Sequence, residues 1–184
     1  LMPNIFNLIK SGPNSNNWMN IETIAEQHVV SSALRSWLTE TSLLTNKLRN
    51  NIDNYQFEVL QEYFDEDEKD SSKKIFVREI AMLSNNRPYI LGQTKTPEKT
   101  LSEHPWINTL GENTLGEALK NVGEAVRSDF SYNCFYIEKA ELENIGIQEI
   151  KQPLIWARRS TFSLGNNNLS TVELFLPGIE CLNN

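Results

Sequence analysis

The stretch Pro153-Leu154-Ile155-Trp156-Ala157-Arg158-Arg159-Ser160-Thr161-Phe162-Ser163-Leu164, then Gly165-Asn166-Asn167-Asn168, then Leu169-Ser170-Thr171-Val172-Glu173-Leu174-Phe175-Leu176-Pro177, decides the fold. Two runs rich in aromatic and β-branched residues flank a cluster of turn formers, the pattern of a β-hairpin. Side chains on a strand alternate between faces. Thr171, Glu173 and Phe175 therefore share one face, and Val172, Leu174 and Leu176 the other. Both rows are largely apolar, which predicts a strand buried on both sides. Glu173 then puts a carboxylate where carboxylates are normally excluded.

Working outward, Ile75-Phe76-Val77-Arg78-Glu79-Ile80-Ala81-Met82-Leu83 repeats the anomaly. One face carries Phe76, Arg78, Ile80 and Met82; the other carries Ile75, Val77, Glu79, Ala81 and Leu83. Each apolar row has a single charge in its middle. Ser84-Asn85-Asn86-Arg87-Pro88 is a turn signal that folds residues 89–96 back antiparallel, with Pro97 ending the strand. Residues 55–64 and 129–137 alternate as further strands, the second continuing towards Leu142 before a connection over 144–152. The charge run Asp65-Glu66-Asp67-Glu68-Lys69-Asp70-Ser71-Ser72 matches no calcium-loop spacing and is expected to be a solvated connection. Helical spacing begins at Asn20 or Glu22 and runs to Trp37, a short helix carrying Leu43, Leu44, Lys47 and Leu48 starts at Thr41 or Ser42, and residues 100–119 hold helical pieces. Strands joined by short turns, with helices in blocks, predict an α+β fold: a single antiparallel β-sheet with helices packed on it. Residues 1–20, rich in Asn, Pro and Ser, are expected to be a loosely ordered N-terminal arm, and 21–184 the single domain.

The 184 residues suit one domain with a real core, and 39% hydrophobic with 22% charged residues is ordinary for a soluble protein. No apolar run approaches the ~20 residues of a membrane span. Residues 1–17 have one Lys and no apolar core of signal-peptide length, which predicts no export signal. Cys134 and Cys181 fit no metal or redox spacing and are expected as free thiols in a cytoplasmic protein. A net charge of −7 argues against nucleic acid or an anionic membrane surface as partner. An anionic ligand must then be held by specific Arg or Lys side chains.

Nucleophilic catalysis finds no support. The histidines are His28, on the expected apolar face of a helix, and His104, before Pro105; neither has a Ser or Cys in an elbow motif. Gly111 and Gly116 build no phosphate-cradling loop. What remains is a set of ionic groups on apolar strands: Arg78, Glu79, Arg158, Arg159 and Glu173. The set admits two readings. One is an internal ion pair of Arg78 or Arg158 with Glu173 or Glu79, serving no ligand. The other is an anion pocket, where the planar fork of Arg meets a substrate carboxylate.

The string Trp156-Ala157-Arg158-Arg159-Ser160, followed after the turn by Glu173-Leu174-Phe175-Leu176-Pro177, resembles the C-terminal signature of the chorismate pyruvate-lyase family. The likeness extends back through Leu110-Gly111 and Leu115-Gly116, Arg78-Glu79-Ile80, and Trp37-Leu38 with Leu44-Thr45, in order and with similar spacing. The resemblance implies an enzyme without cofactor or metal that converts chorismate to 4-hydroxybenzoate and pyruvate, at the entry to ubiquinone or a related quinone. It implies helices on an antiparallel sheet and a buried site closed by flaps. The family's ligand contacts fall here on Leu44, Arg78, Leu115 and Glu173. Arg78 would grip the ring carboxylate, Leu44 and Leu115 would supply backbone groups and apolar walls, and Glu173 would sit at the ring's hydroxyl end. Arg78 and Glu173 are thus the expected catalytic pair. The chain departs from the family pattern at Gln93, where a second Arg is common, and Lys95 on the same face is the expected substitute. Thr114 stands where Pro is common. The rival reading is a non-catalytic sensor of aromatic acids, since effector-binding domains of some repressors look like this fold. Those proteins carry a helix-turn-helix, for which the N-terminal arm has no room. A monomer with only small-molecule partners is the expectation.

Overall fold

The computed structural model describes residues 4–148 and 150–182. Its seven strands are β1 (Tyr55–Asp67), β2 (Asp70–Ser84), β3 (Arg87–Pro97), β4 (Ala125–Arg127), β5 (Ser131–Tyr136), β6 (Leu154–Leu164) and β7 (Asn167–Phe175). They form one antiparallel sheet in the order β1-β2-β3-β7-β6-β4, with β5 pairing beside β4 along the same edge of β6. The expected α+β architecture is therefore the observed one. Seven short helices pack on it: α1 (Ile5–Ser11), α2 (Ile21–Gln27), α3 (Ser32–Leu38), α4 (Leu44–Arg49), α5 (Glu98–Glu103), α6 (Leu115–Val122) and α7 (Lys139–Asn144).

Turn chemistry sets the hairpins. Leu164 faces Asn167, so Gly165-Asn166 is a two-residue turn with Gly165 at a φ of +60°. Ser84 faces Arg87, and Asn85 and Asn86 both take left-handed φ values of 48° and 65°. Asn tolerates that region, and two such residues match the right-handed twist of the flanking strands. The acidic run is not a connection. Asp67 pairs with Asp70, so β1 and β2 continue through it and only Glu68-Lys69 turn; alternating charges are tolerated because both strands are solvated there.

Three further expectations change. Over its described residues, 4–20, the arm is not loosely ordered: Ile5, Phe6 and Ile9 lie on one stripe of α1 and are buried in the core, behind an N-cap from Asn4. The helix from Asn20 breaks into α2 and α3, because β-branched Val29-Val30 precede Ser31, whose hydroxyl caps α3 by accepting from the Leu34 N–H at 3.1 Å. The strand does not reach Leu142. Lys139-Ala140-Glu141-Leu142-Glu143-Asn144 contains strong helix formers and becomes α7.

Both faces of the sheet are covered. On the back face α1 packs with Ala81, Leu91, Ile155, Leu174 and Leu176. The front face carries two separate apolar clusters. One joins Trp37, Leu38 and Leu48 to Met82, Ile90, Trp156 and Phe175; the other joins Phe76, Leu164 and Leu169 to Ile107 and Leu119. Between them lies a polar stretch of the same strands. Among the described residues no helix is long and apolar enough to cross a membrane.

Candidate functional site

The gap between the two front-face clusters is a cavity of about 490 Å³, within the range that holds small organic ligands. Strand register builds its floor as two rows. Arg78 of β2 faces Thr94 of β3, which faces Thr171 of β7, which faces Ser160 of β6. One pleat along, Ile80 faces Gly92, Gly92 faces Glu173, and Glu173 faces Arg158. All eight line the cavity. Gly92 keeps the floor low: a Cβ there would stand 3.0 Å from Ile80 Cδ1. Arg78 and Glu173 rise from strands two apart, about 10 Å between backbones.

Arg78 is 4% exposed. Its Nη2 donates to the Gly111 carbonyl at 2.6 Å and the Asn113 carbonyl at 3.0 Å, tying the loop before α6 over the floor. Its Nε lies 3.6 Å from Glu62 Oε1, and Nη1 is buried without an acceptor. Burial pulls the guanidinium below its usual value, and the Glu62 carboxylate opposes the shift. A buried donor without a partner costs free energy, which an acceptor reaching this atom would recover.

Glu173 meets Arg158, whose Nε donates to Glu173 Oε2. Arg158 is 1% exposed. Its Nη1 also donates to the Leu38 carbonyl at 3.0 Å and to that of Glu40, and its guanidinium lies over the Phe130 ring at 4.1 Å. The internal ion pair considered from sequence thus exists for Arg158 and Glu173, yet it borders open cavity instead of closing it. Among the described residues Glu173 Oε1 has no hydrogen bond.

The walls come from two helix starts. Leu44 is the first residue of α4 and Leu115 the first of α6, and both line the cavity. First-turn N–H groups have no acceptor inside their own helix. Thr114 caps α6, its hydroxyl accepting from the Glu117 N–H at 3.3 Å. Arg127 of β4, Lys120 of α6 and the Thr41-Ser42-Leu43 loop complete the rim. The lining carries four cations (Arg78, Lys120, Arg127, Arg158) against one carboxylate, Glu173. In a chain of net charge −7 this is a local reversal of field.

The structure therefore brings Leu44, Arg78, Leu115 and Glu173 together. It does not bring Lys95, whose ammonium donates to Glu68 Oε1 at 2.8 Å. The reason is the strand alternation: Gly92 and Thr94 face the cavity, so Gln93 and Lys95 face away. Gln93 donates to Glu79 Oε1 at 2.7 Å on that far face, and Glu79 accepts from Gln61 as well. Arg159 is also turned away, its Nε donating to Ser131 Oγ at 3.0 Å. Sequence reasoning assigned no role to Arg127 or Lys120. Arg127 sits on a three-residue strand too short to leave a pattern. The amphipathic spacing of α6 was the available signal for Lys120.

An antiparallel sheet holding a cation-lined cavity with one carboxylate on its floor defines a binder of small organic anions. The chorismate lyase family model matches residues 13–180, and the chain belongs to that family. It is 30% identical over 151 residues to a chorismate pyruvate-lyase of Hamiltonella defensa, covering 77% of this chain and 76% of the relative. It is 28% identical over 167 residues to the chorismate pyruvate-lyase of Serratia proteamaculans, covering 85% and 86%. Among solved structures it is similar to the PhnF C-terminal domain, with a TM-score of 0.53 at 12% identity over 81% of this chain and 94% of that one. A possible transcriptional regulator, YydK from Bacillus subtilis, aligns with a TM-score of 0.52 at 15% identity over 73% and 62%. These two likenesses concern the fold alone.

Proposed function

We propose that this protein is a chorismate pyruvate-lyase, removing the enolpyruvyl group of chorismate to leave 4-hydroxybenzoate and pyruvate, the start of a route to ubiquinone or a related quinone. The observation that carries the reading is the pairing on one floor of Arg78, with its unsatisfied Nη1, and Glu173, with its free Oε1, two strands apart. That span suits a para-substituted ring. The ring carboxylate meets Arg78 Nη1 and the N–H groups of Leu44 and Leu115, and the 4-hydroxyl donates to Glu173 Oε1.

The reaction breaks the C–O bond to the enolpyruvyl group and removes the hydrogen of the adjacent hydroxyl-bearing ring carbon; the departing three-carbon unit gains that hydrogen at its methylene and becomes pyruvate. In one route the hydrogen passes directly to the methylene in a cyclic rearrangement, and the protein positions and desolvates the diacid. In the other, Glu173 carries the proton as general base and then acid. The Arg158 contact orients the Glu173 carboxylate for either.

Incubation of the purified protein with chorismate, followed by the 4-hydroxybenzoate absorbance, tests the assignment. Tight binding of chorismate without turnover favours the sensor reading. Action as a monomer in the cytoplasm belongs to the same proposal, supported by two free thiols, which a reducing compartment preserves.

A further inference from the structure

We propose that Arg127 is the residue that binds the second, enolpyruvyl carboxylate of the substrate, so that the cavity selects a diacid over a monoacid. The inference rests on the lyase reading above and adds the residue that the position of Gln93 cannot supply, since that side chain faces the opposite side of the sheet.

Arg127 is fixed in place by β4, where it pairs with Phe162 of β6. Its Nη2 donates to the Thr41 carbonyl at 2.9 Å, and its guanidinium lies 4.4 Å from the Phe130 ring centre. One edge of the fork is therefore anchored to the rim loop, and the group borders the cavity. No described carboxylate lies within 4.0 Å of it, whereas Arg158 beside it is already neutralised by Glu173. Burial and the Arg158 charge both pull the Arg127 guanidinium below its usual value. A half-buried cation next to a like charge is stabilised by an incoming anion.

The position matches the substrate's second acid group. Strand order sets Arg78 on β2, Glu173 on β7 and Arg127 on β4. β2 and β4 are four inter-strand spacings apart, about 19 Å between backbones. Two arginine side chains reaching inward from those strands leave room for one small diacid. Its ring hydroxyl, para to the carboxylate at Arg78, then falls over β7, and the enolpyruvyl group on the neighbouring ring carbon extends towards β4. Lys120 also lines the cavity, but it is exposed at the rim of α6 and its flexible ammonium lacks the planar fork.

The test compares Arg127→Gln, Arg127→Lys and Lys120→Gln in chorismate turnover and in binding of 4-hydroxybenzoate, which lacks the second carboxylate. For R127Q the expected result is a KM for chorismate raised about 10- to 100-fold, with kcat changed less than about threefold because the contact is made in ground and transition states alike. The Kd for 4-hydroxybenzoate stays within about twofold. R127K recovers part of the loss, and K120Q raises KM less than R127Q does. An unchanged KM in R127Q overturns the proposal. So does a 4-hydroxybenzoate Kd rising in step with KM, which marks a collapsed wall, and so does a larger effect in K120Q. If the wild type binds chorismate but does not convert it, the lyase reading fails; the Arg127 assignment is then decided by calorimetry of chorismate and 4-hydroxybenzoate with R127Q, where loss confined to chorismate supports it and equal loss of both overturns it.

Discussion

Glu173 and Arg78 are each a charge on an otherwise apolar row, and the structure gives each a different reason to be there. Arg78 holds the Gly111 and Asn113 carbonyls and keeps one nitrogen unsatisfied. Glu173 is oriented by Arg158 and keeps one oxygen free. Glu173→Gln separates the two routes for the hydrogen: a kcat loss of about 10²- to 10⁴-fold is the size of general acid–base catalysis, while near-normal turnover means the side chain only orients substrate. Single-turnover measurement of 4-hydroxybenzoate formation reads the difference without interference from product release. The two thiols also separate at this scale. Burial pushes the Cys134 thiol up to about 12, whereas Cys181 is exposed. In native buffer one thiol per chain should react with a disulfide reagent, and the second only after unfolding; Cys181→Ser should leave no fast-reacting thiol.

At the scale of elements, the segments over the cavity are helix starts and loops, and the floor is strand. Thr114 caps α6 and stands beside the loop that Arg78 ties down. Thr114→Ala should lower stability by about 1 kcal/mol and raise KM for chorismate, as thermal melts and steady-state kinetics would report. The contact between α1 and the sheet edge is electrostatic as well as apolar. Glu68, in the β1–β2 turn, accepts from Lys95 of β3 at 2.8 Å and pairs with Lys10 of α1 at 2.9 Å. Those two ammonium groups hold its carboxyl well down, from 4.5 to about 2. Because the folded value lies below the ordinary one, the stabilisation is present above about pH 4.5 and is lost as pH falls towards 2. The group is more than half exposed, so the effect is a few tenths of a kcal/mol after screening. The difference in melting temperature between wild type and Glu68→Gln, measurable at pH 7, should vanish near pH 2, with amide exchange in α1 accelerating over the same interval.

At the scale of the whole molecule, the front face carries two apolar clusters with a cationic chamber between them, inside a chain whose net charge is −7. A chamber of this kind is stabilised by its occupant. With 4-hydroxybenzoate at 100 times its Kd the protein should gain about 2.7 kcal/mol, a rise in Tm of about 5–11 °C for a domain of this size. A monoacid lacking the hydroxyl, benzoate, should give less at the same concentration. The lining charges also predict that KM for chorismate rises with ionic strength, since salt screens the attraction of the dianion. Melts with each ligand and kinetics across a salt series check both.

The order of residues alone determined the hairpins, the antiparallel sheet and the two misplaced charges, because turn chemistry and period-two alternation act over a few neighbours. Asn85-Asn86 and Gly165-Asn166 turn the chain wherever the rest of it goes. Alternation also places Lys95 opposite Arg78's row once the β2–β3 register is known, but register is a pairing between strands and is not written in either one. Only the tertiary structure decided that Glu173 faces Arg158, that Lys95 turns to Glu68, and that a three-residue strand carries Arg127 to the cavity. It also decided that Ile5, Phe6 and Ile9 close the back of the sheet. Each of these depends on residues far apart in the chain, whose meeting is set by how two faces of one sheet bury their apolar rows.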